Sequence, residues 1–419
     1  MVVKHHRVTA VSLAAALSPV AGIAAWLAGP LPATGGEVPF NEHVLSDTAD
    51  GPRSVFAADL DGDGDLDILT ASEFDNKIAW YQSNGGLPVT FTDEIVISTA
   101  AIGAWSVFAM DVDGDGDTDV LSASDGDNKI AWYENDGALF PTFTERVIST
   151  DALGAHSVFA ADLDGDGDTD VLSGSLSDTK VAWYENDGQS PPTFTEHVLS
   201  TDTTAFGSRS VLATDLDGDG DIDVLSTSFA GEIAWYENDG GSPPTFTERV
   251  ISTTASGGSG LCATDLDGDG NIDVLSAAAA IAWYESDGGS PPTFTKRVIV
   301  SDVGFVLSVF AADVDNDGDI DVLSATFGHN NLVWYESSGG SPPTWQERVI
   351  STDSNLGFSV FAVDLDGDAD PEILHVGDTL GGSKLMWYEN VMQHADLDAD
   401  GDVDLHDFAL LQLAFTGPK

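Results

Sequence analysis

The chain has 419 residues, with 14 Lys and Arg against 71 Asp and Glu, a formal charge of −57. A polyanionic partner needs a basic surface, so this balance excludes nucleic acid and disfavours an anionic membrane surface. Hydrophobic residues make up 42% of the chain and the acids fall in short, evenly spaced clusters, which argues against an acidic disordered chain and for metal ligation.

At the N-terminus, Lys4, His5, His6 and Arg7 precede a mostly apolar run, Val8 to Ala28, with small residues at Ala24, Ala25 and Ala33. This is a signal-peptide pattern over residues 1–33, so the protein is expected to be secreted, extracellular or in the cell envelope. The run is long enough for an uncleaved anchor; Pro19 and Gly22 near its middle favour cleavage. No other segment approaches a membrane span. The single cysteine, Cys262, allows no intramolecular disulfide. It stands in L-C-A-T-D where the first unit reads V-F-A-A-D around Phe56, so it reads as a buried, inert thiol in place of a core phenylalanine.

From residue 38 to 391 the chain repeats itself. A Trp-Tyr pair recurs at Trp80, Trp132, Trp183, Trp235, Trp283, Trp334 and Trp387, in steps of 52, 51, 52, 48, 51 and 53 residues. Each unit holds four β-like segments. In the first they are S-V-F-A-A-D ending at Asp59, D-I-L-T-A-S from Asp67, K-I-A-W-Y-Q from Lys77 and F-T-D-E-I-V-I-S from Phe91. A Gly- or Pro-rich turn such as N-D-G-G-S-P-P-T precedes the fourth segment. No helix-period segment occurs between Pro39 and Tyr388. Four short antiparallel strands per unit of about 50 residues predict an all-β, seven-bladed β-propeller. A β-solenoid is the main rival, with coils usually shorter than this. The segment F-N-E-H-V-L-S, Phe40 to Ser46, matches a fourth strand, and the last unit stops at Asn390 without one. The N-terminal strand is therefore expected to complete the last blade and remove an exposed edge.

Between the first and second segments of each unit lies D-x-D-G-D-G-D-x-D. Calcium takes six to eight oxygens, and a tight loop offers them at alternate positions. Positions 1, 3, 5 and 9 supply side chains, position 6 must turn sharply, and position 7 gives its backbone carbonyl. The candidate metal residues are Asp59, Asp61, Asp63, Asp65 and Asp67 in the first loop, and Asp111, Asp113, Asp115, Asp117 and Asp119 in the second. The third has Asp162, Asp164, Asp166, Asp168 and Asp170; the fourth has Asp215, Asp217, Asp219, Asp221 and Asp223. The fifth has Asp265, Asp267, Asp269, Asn271 and Asp273, and the sixth Asp313, Asp315, Asp317, Asp319 and Asp321. The seventh keeps Asp364, Asp366 and Asp368 but has Ala369 at position 6, Pro371 at position 8 and Glu372 at position 9, and is expected to be the weakest site.

These loops, the four-segment unit and the W-Y-E-N ending resemble the FG-GAP/VCBS repeat family, which includes integrin α-chain propellers and many secreted bacterial proteins. The resemblance covers Phe40 to Asn390. It implies calcium bound by loop positions 1, 3, 5, 7 and 9 on one face of a propeller and ligands on the opposite face. It does not fix a ligand. Residues 394–419 form a separate module. Asp396, Asp398, Asp400, Gly401, Asp402, Val403 and Asp407 fall at positions 1, 3, 5, 6, 7, 8 and 12 of an EF-hand loop, and Phe408 to Phe415 reads as a short amphipathic helix. This is similar to one half of a type I dockerin. Dockerins normally carry two halves, which weakens the case for a cohesin-like partner; truncation or a lone sorting or docking tag fits equally.

Identical repeats build the scaffold, so function is expected where they differ. The entry to the first segment varies as Arg53, Trp105, His156, Arg209, Ser259, Leu307 and Phe358. The turn between second and third segments, on the same face, offers Phe74, Asp75, Asp127, Asp178, Phe229, His329 and Asn330. Sugar binding by aromatic stacking and polar contacts fits such a set, as does acid/base chemistry by His156 with Arg53 or Arg209. Each residue alone has a plainer reading: a solvated loop histidine, or Trp105 and Phe358 as funnel packing. The sequence predicts a monomeric, calcium-stapled binding module for glycans or a surface or matrix protein. A carbohydrate-active lyase or isomerase resembling the aldos-2-ulose dehydratase propellers is the alternative, and a purely structural surface protein is third.

Overall fold

The computed structural model describes residues 38–201, 207–301, 303–327, 332–352, 356–379 and 382–391. The expected signal segment and the EF-hand-like tail, with Asp396, Asp398, Asp400, Asp402 and Asp407, lie outside them, as do His329 and Asn330. Among the described residues every regular element is a β-strand, and no helix is long and apolar enough to cross a membrane.

The strands form seven four-stranded antiparallel blades. In blade one they are Pro52–Ala58, Asp67–Ser72, Lys77–Tyr81 and Ile95–Ser98. Blades two to six repeat the order, and one bridge, Phe327 to Leu356, links the sheets of blades six and seven. Blade seven is Leu356–Val363, Glu372–Thr379, Gly382–Asn390 and, as its fourth strand, Phe40–Ser46. The closing register runs antiparallel from Phe40 opposite Asn390 to Val44 opposite Met386, so the expected closure is observed.

The fourth strand of blade one is shorter than its counterparts because F-T-D-E-I-V-I-S has one residue more than F-T-E-R-V-I-S. Phe91 still bridges Ser83, but Trp80 lies opposite Ile95, and the pairing slips by one between them.

Two devices hold the blades. The second strands, such as Asp67–Ser72, are buried on both faces, which explains their unbroken small and apolar composition. Each Trp of the Trp-Tyr pair is at most 5% exposed. On the outer strand a cation or imidazole covers it and pairs with the acid two residues beyond the Trp. Arg146 lies over Trp132 and donates to Glu134 at 2.7 Å. His197 stacks on Trp183 and meets Glu185, and His43 does the same with Trp387 and Glu389 across the closure. In blade one both partners change together, with Ile95 for the cation and Gln82 for the acid.

Blades are also joined by the Asn that ends W-Y-E-N. Asn186 Nδ2 donates to the Val112 carbonyl of the preceding blade at 2.9 Å and to the Thr169 carbonyl of its own blade at 2.9 Å. Asn135, Asn238 and Asn390 repeat this bridge, to Leu60, Leu163 and Val314. Ser83, Ser286 and Ser337 occupy the position in the other three blades and are too short for it.

Around the axis, Phe56, Phe108, Phe159, Phe310 and Phe361 form a partial ring, neighbours 4.6 to 5.0 Å apart between centroids. Leu212 and Cys262 stand where this ring is interrupted and help line an axial cavity of about 160 Å³. Cys262 is buried, and burial pushes its thiol up to about 11, in keeping with the inert core reading.

Candidate metal face and axial funnel

Antiparallel order puts the Asp loops, which follow the first strand, on one face together with the turns that follow the third. The entries to the first strands and the turns after the second lie on the other.

On the first face each loop is folded by its own carboxylates. Asp59 accepts from the amides of Gly62 at 2.8 Å and Gly64 at 3.0 Å, Asp61 from Asp63 at 3.3 Å, and Asp63 from Asp65 at 3.0 Å. The position-9 acid is the buried anchor. Asp67 is fully buried and accepts from the Leu60 amide at 3.0 Å and the Ser83 amide at 2.8 Å. The same pair of bonds recurs at Asp119, Asp170, Asp223, Asp273 and Asp321. Burial pushes the carboxyls of Asp67, Asp119, Asp223 and Asp273 up to about 7 and those of Asp170 and Asp321 to about 8, against the opposing pull of those amides. Oxygens of Asp59, Asp61 and Asp67 lie within 4.8 Å of one another, as do those of Asp111, Asp113 and Asp115, and matching groups occur in the third, fourth and fifth loops. An oxygen that accepts one N–H keeps a second lone pair, so the set can still hold a cation.

Position 7 has a use that sequence reasoning did not find. A β-carbon added at Gly137, in the turn after the third strand of blade two, would sit 1.9 Å from Asp117 Oδ2. The position-7 side chain therefore packs over a glycine of the neighbouring turn, and its backbone stays toward the loop. The seventh loop departs as expected. Ala369 has φ +78°, a left-handed conformation that costs a β-carbon, where Gly64 has +97°. Glu372 accepts from the Leu365 amide at 2.7 Å, but its Oε1 is buried with no hydrogen-bond partner. Burial holds that carboxyl up at about 8. Asn316 of the sixth loop reaches across to the Ala369 carbonyl at 3.1 Å.

On the opposite face the non-repeating positions do converge. Arg53, Trp105, His156, Arg209, Ser259, Leu307 and Phe358 line one axial cavity of about 180 Å³. All but Ser259 belong to the strands themselves rather than to entry loops, which fixes them rigidly. The solvated-histidine reading of His156 is corrected: its ring is 4% exposed, stacked on Trp105 at 4.0 Å, and neither nitrogen has a hydrogen-bond partner. Burial, with Arg209 and Arg53 nearby, pushes its pKa down to about 3. The reading of Trp105 and Phe358 as funnel packing is the one the contacts favour. The Arg53 guanidinium sits 5.0 Å from Trp105, 3.8 Å from Phe358 and 5.1 Å from Phe74. It also pairs with Glu73, Nε to Oε2 at 2.6 Å. Arg209 lies 4.9 Å from the Phe229 ring and donates to Ser259 Oγ at 3.3 Å. Asp75, Asp127 and Asp178 do not join the funnel chemistry; they pair with Lys77, Lys129 and Lys180 on their own blades.

Compared with known proteins, the chain matches the family described as FG-GAP-like repeat at residues 59–122, 111–173, 164–226, 215–276 and 313–375, each window running from one Asp loop toward or through the next. No curated protein matches it. Among solved structures it is similar to a chain in the crystal structure of BBS1N in complex with ARL6DN, soaked with lead, with a TM-score of 0.55 and 10% identity over 83% of this chain and 95% of that one. The same complex soaked with mercury gives a TM-score of 0.56, again at 10% identity and with the same coverage. At that identity the likeness concerns the fold alone.

Proposed function

We propose, from the premise that this chain belongs to the FG-GAP-like repeat family, that it is a calcium-stapled binding module whose ligand face is the axial funnel. The observation that carries the reading is the division of labour between the faces. One face repeats the same oxygen-rich loop around the ring; the other gathers the positions at which the blades differ into one cavity.

The donor set suits calcium: hard carboxylate and carbonyl oxygens, held at alternate positions, with no sulfur or imidazole among the loop residues. In the first loop Asp59, Asp61, Asp63 and Asp67 and the Asp65 carbonyl would hold the ion. Bound calcium would supply charge neutralisation and a cross-link between the ends of the first and second strands, not a reaction step. The loop residues fix the turn themselves, through the amide bonds of positions 1, 3, 5 and 9, so the metal adds to a shape already present. Export to a calcium-rich compartment, a monomeric state and a glycan or matrix partner belong to the same proposal. The lyase or isomerase alternative has less to stand on, because among the described residues no carboxylate orients either nitrogen of His156.

Two measurements test this. Excess chelator should lower the melting temperature substantially, because several sites that bind only the folded state each add stability by mass action; an unchanged melt removes the staple. A glycan array with a sugar-turnover screen on the calcium-loaded protein should show binding without turnover. Turnover that is lost in His156→Gln would replace the binding module with the enzyme.

A further inference from the structure

In a chain of charge −57, a half-buried cation with no acid beside it is an anomaly. Arg209 is one. Among the described residues it has no ion pair; its only hydrogen bond to a side chain is to Ser259, and its Nε is buried without a partner. The outer-strand arginines Arg146, Arg249, Arg297 and Arg348 each have a glutamate. Arg53, which lines the same cavity from a blade across the ring, is balanced by Glu73, yet its side chain is 8% exposed and its Nη1 is unpartnered. His156 between them buries two further nitrogens without partners. Leaving buried donors unsatisfied costs stability, and a partly buried guanidinium without a counter-charge adds to that cost.

We infer that the axial funnel is a receptor for one carboxylate borne by a sugar ring, a uronic acid, with Arg209 as the residue that meets the negative charge. The inference rests on the reading of the funnel as the ligand face and specifies what that face takes. The charge count favours a monoanion: Arg53 is neutralised by Glu73, the imidazole is neutral, and one positive charge remains. The planar guanidinium fork matches a planar carboxylate. Phe229 under Arg209, and Trp105, Phe358 and Phe74 around Arg53, hold the two guanidiniums in place, so these rings orient cations rather than stack on a sugar. Beside Leu261, Leu307 and Val309, the rest of the wall is largely hydroxylic. Ser54, Ser106, Ser157 and Ser308 line the cavity, and each accepts a valine amide from the next blade, which leaves its O–H free to donate to a polyol. A cavity of about 180 Å³ has room for a charged group and part of a ring at its floor.

The test is calorimetric titration of the full, calcium-loaded chain with D-glucuronate and D-galacturonate, against glucose and galactose, acetate, glucose 6-sulfate and a glutamate-containing tripeptide. Uronates should bind at least tenfold more tightly than their neutral parents and than acetate. Arg209→Gln should lose at least tenfold, with Arg209→Lys keeping part of the affinity. Equal binding of neutral sugars overturns the carboxylate but leaves the binding module standing; tighter binding of the tripeptide or of the sulfate ester overturns the uronate. No binding of any probe also overturns it, and the glycan array then decides the module separately. A second readout needs no ligand: Arg209→Met should raise the melting temperature of the free protein. A lower one would mean that Arg209 is a structural residue, and the inference falls.

Discussion

Exchanging the inter-blade Asn with its Ser counterpart should move stability in opposite directions at two sites. Asn186 is 3% exposed and donates from Nδ2 to the Val112 and Thr169 carbonyls, both at 2.9 Å, while its Oδ1 accepts from Gly188 at 3.0 Å. Asn186→Ser keeps an acceptor for Gly188, as Ser286 does for Gly288 at 3.3 Å, but withdraws both donors. Two buried bonds at about 1 kcal/mol each, with some penalty for carbonyls left dry, give a loss of about 2–3 kcal/mol. Asn186→Asp should be worse, because it turns a carboxylate toward the same carbonyls. Ser286 sits opposite Phe294 as Asn238 sits opposite Phe246, so the backbone already places an Asn there correctly. Ser286→Asn should then bridge the Leu216 and Ile272 carbonyls and gain about 1 kcal/mol after the side chain is ordered. Urea denaturation at saturating calcium, with the slope checked for constancy, measures both. Asn186→Ser within about 0.5 kcal/mol of the parent, or a destabilising Ser286→Asn, would show that these bonds do not hold the blades.

Deleting Phe40–Ser46 removes the fourth strand of blade seven and uncovers Trp387, and should give aggregation or a broadened melt; a monomer with a normal melt by light scattering and calorimetry would refute the closure as a stabilising element. Ala369→Gly should relieve about 1–2 kcal/mol of left-handed strain against roughly 0.4–1 kcal/mol of added chain entropy, a net gain below about 1.5 kcal/mol. It should also tighten the last calcium to bind in a titration; an unchanged or weaker last site contradicts the strain argument. His375 is fully buried, and burial lowers its pKa to about 4. The unfolded chain takes up a proton below about 6.5 that the folded chain refuses, so this contribution is intact above pH 6.5 and is lost as pH falls toward 4, amounting to about 2 kcal/mol at pH 5. His375→Gln should flatten that part of the stability–pH curve; an unaltered slope would assign the acid sensitivity elsewhere.

The fold was legible because each blade states the same pattern independently. The Trp-Tyr spacing gave the number of blades, and the unmatched F-N-E-H-V-L-S gave the closure. The ring of non-repeating residues was also readable, since register places equivalent positions at the same height on the axis. What the sequence hid was pairwise. Nothing in Arg53 or Phe358 alone says that the ring covers the guanidinium, and a histidine at the start of a strand looks solvated until Trp105 is seen against it. The inter-blade Asn was visible as a motif letter but not as a donor, because its acceptor in the neighbouring blade lies 74 residues away. A comparison of Asn135, Asn186, Asn238 and Asn390 with Ser83, Ser286 and Ser337 was the available signal.

The closing strand also governs how the molecule meets a mechanical load. Phe40 pairs with Asn390 at one end of the last sheet pair, and the Val391 amide bonds to the Pro39 carbonyl at 3.1 Å, so the chain enters and leaves side by side on the Asp-loop face. An anchor attached through either end would leave the funnel pointing away from it. Tension applied between the two ends would strain the rungs of that ladder one after another, like the teeth of a zip, instead of loading them all in parallel. Tension between its two ends thus peels the closing strand off the ring, and a tether suits it best when fixed through one end only.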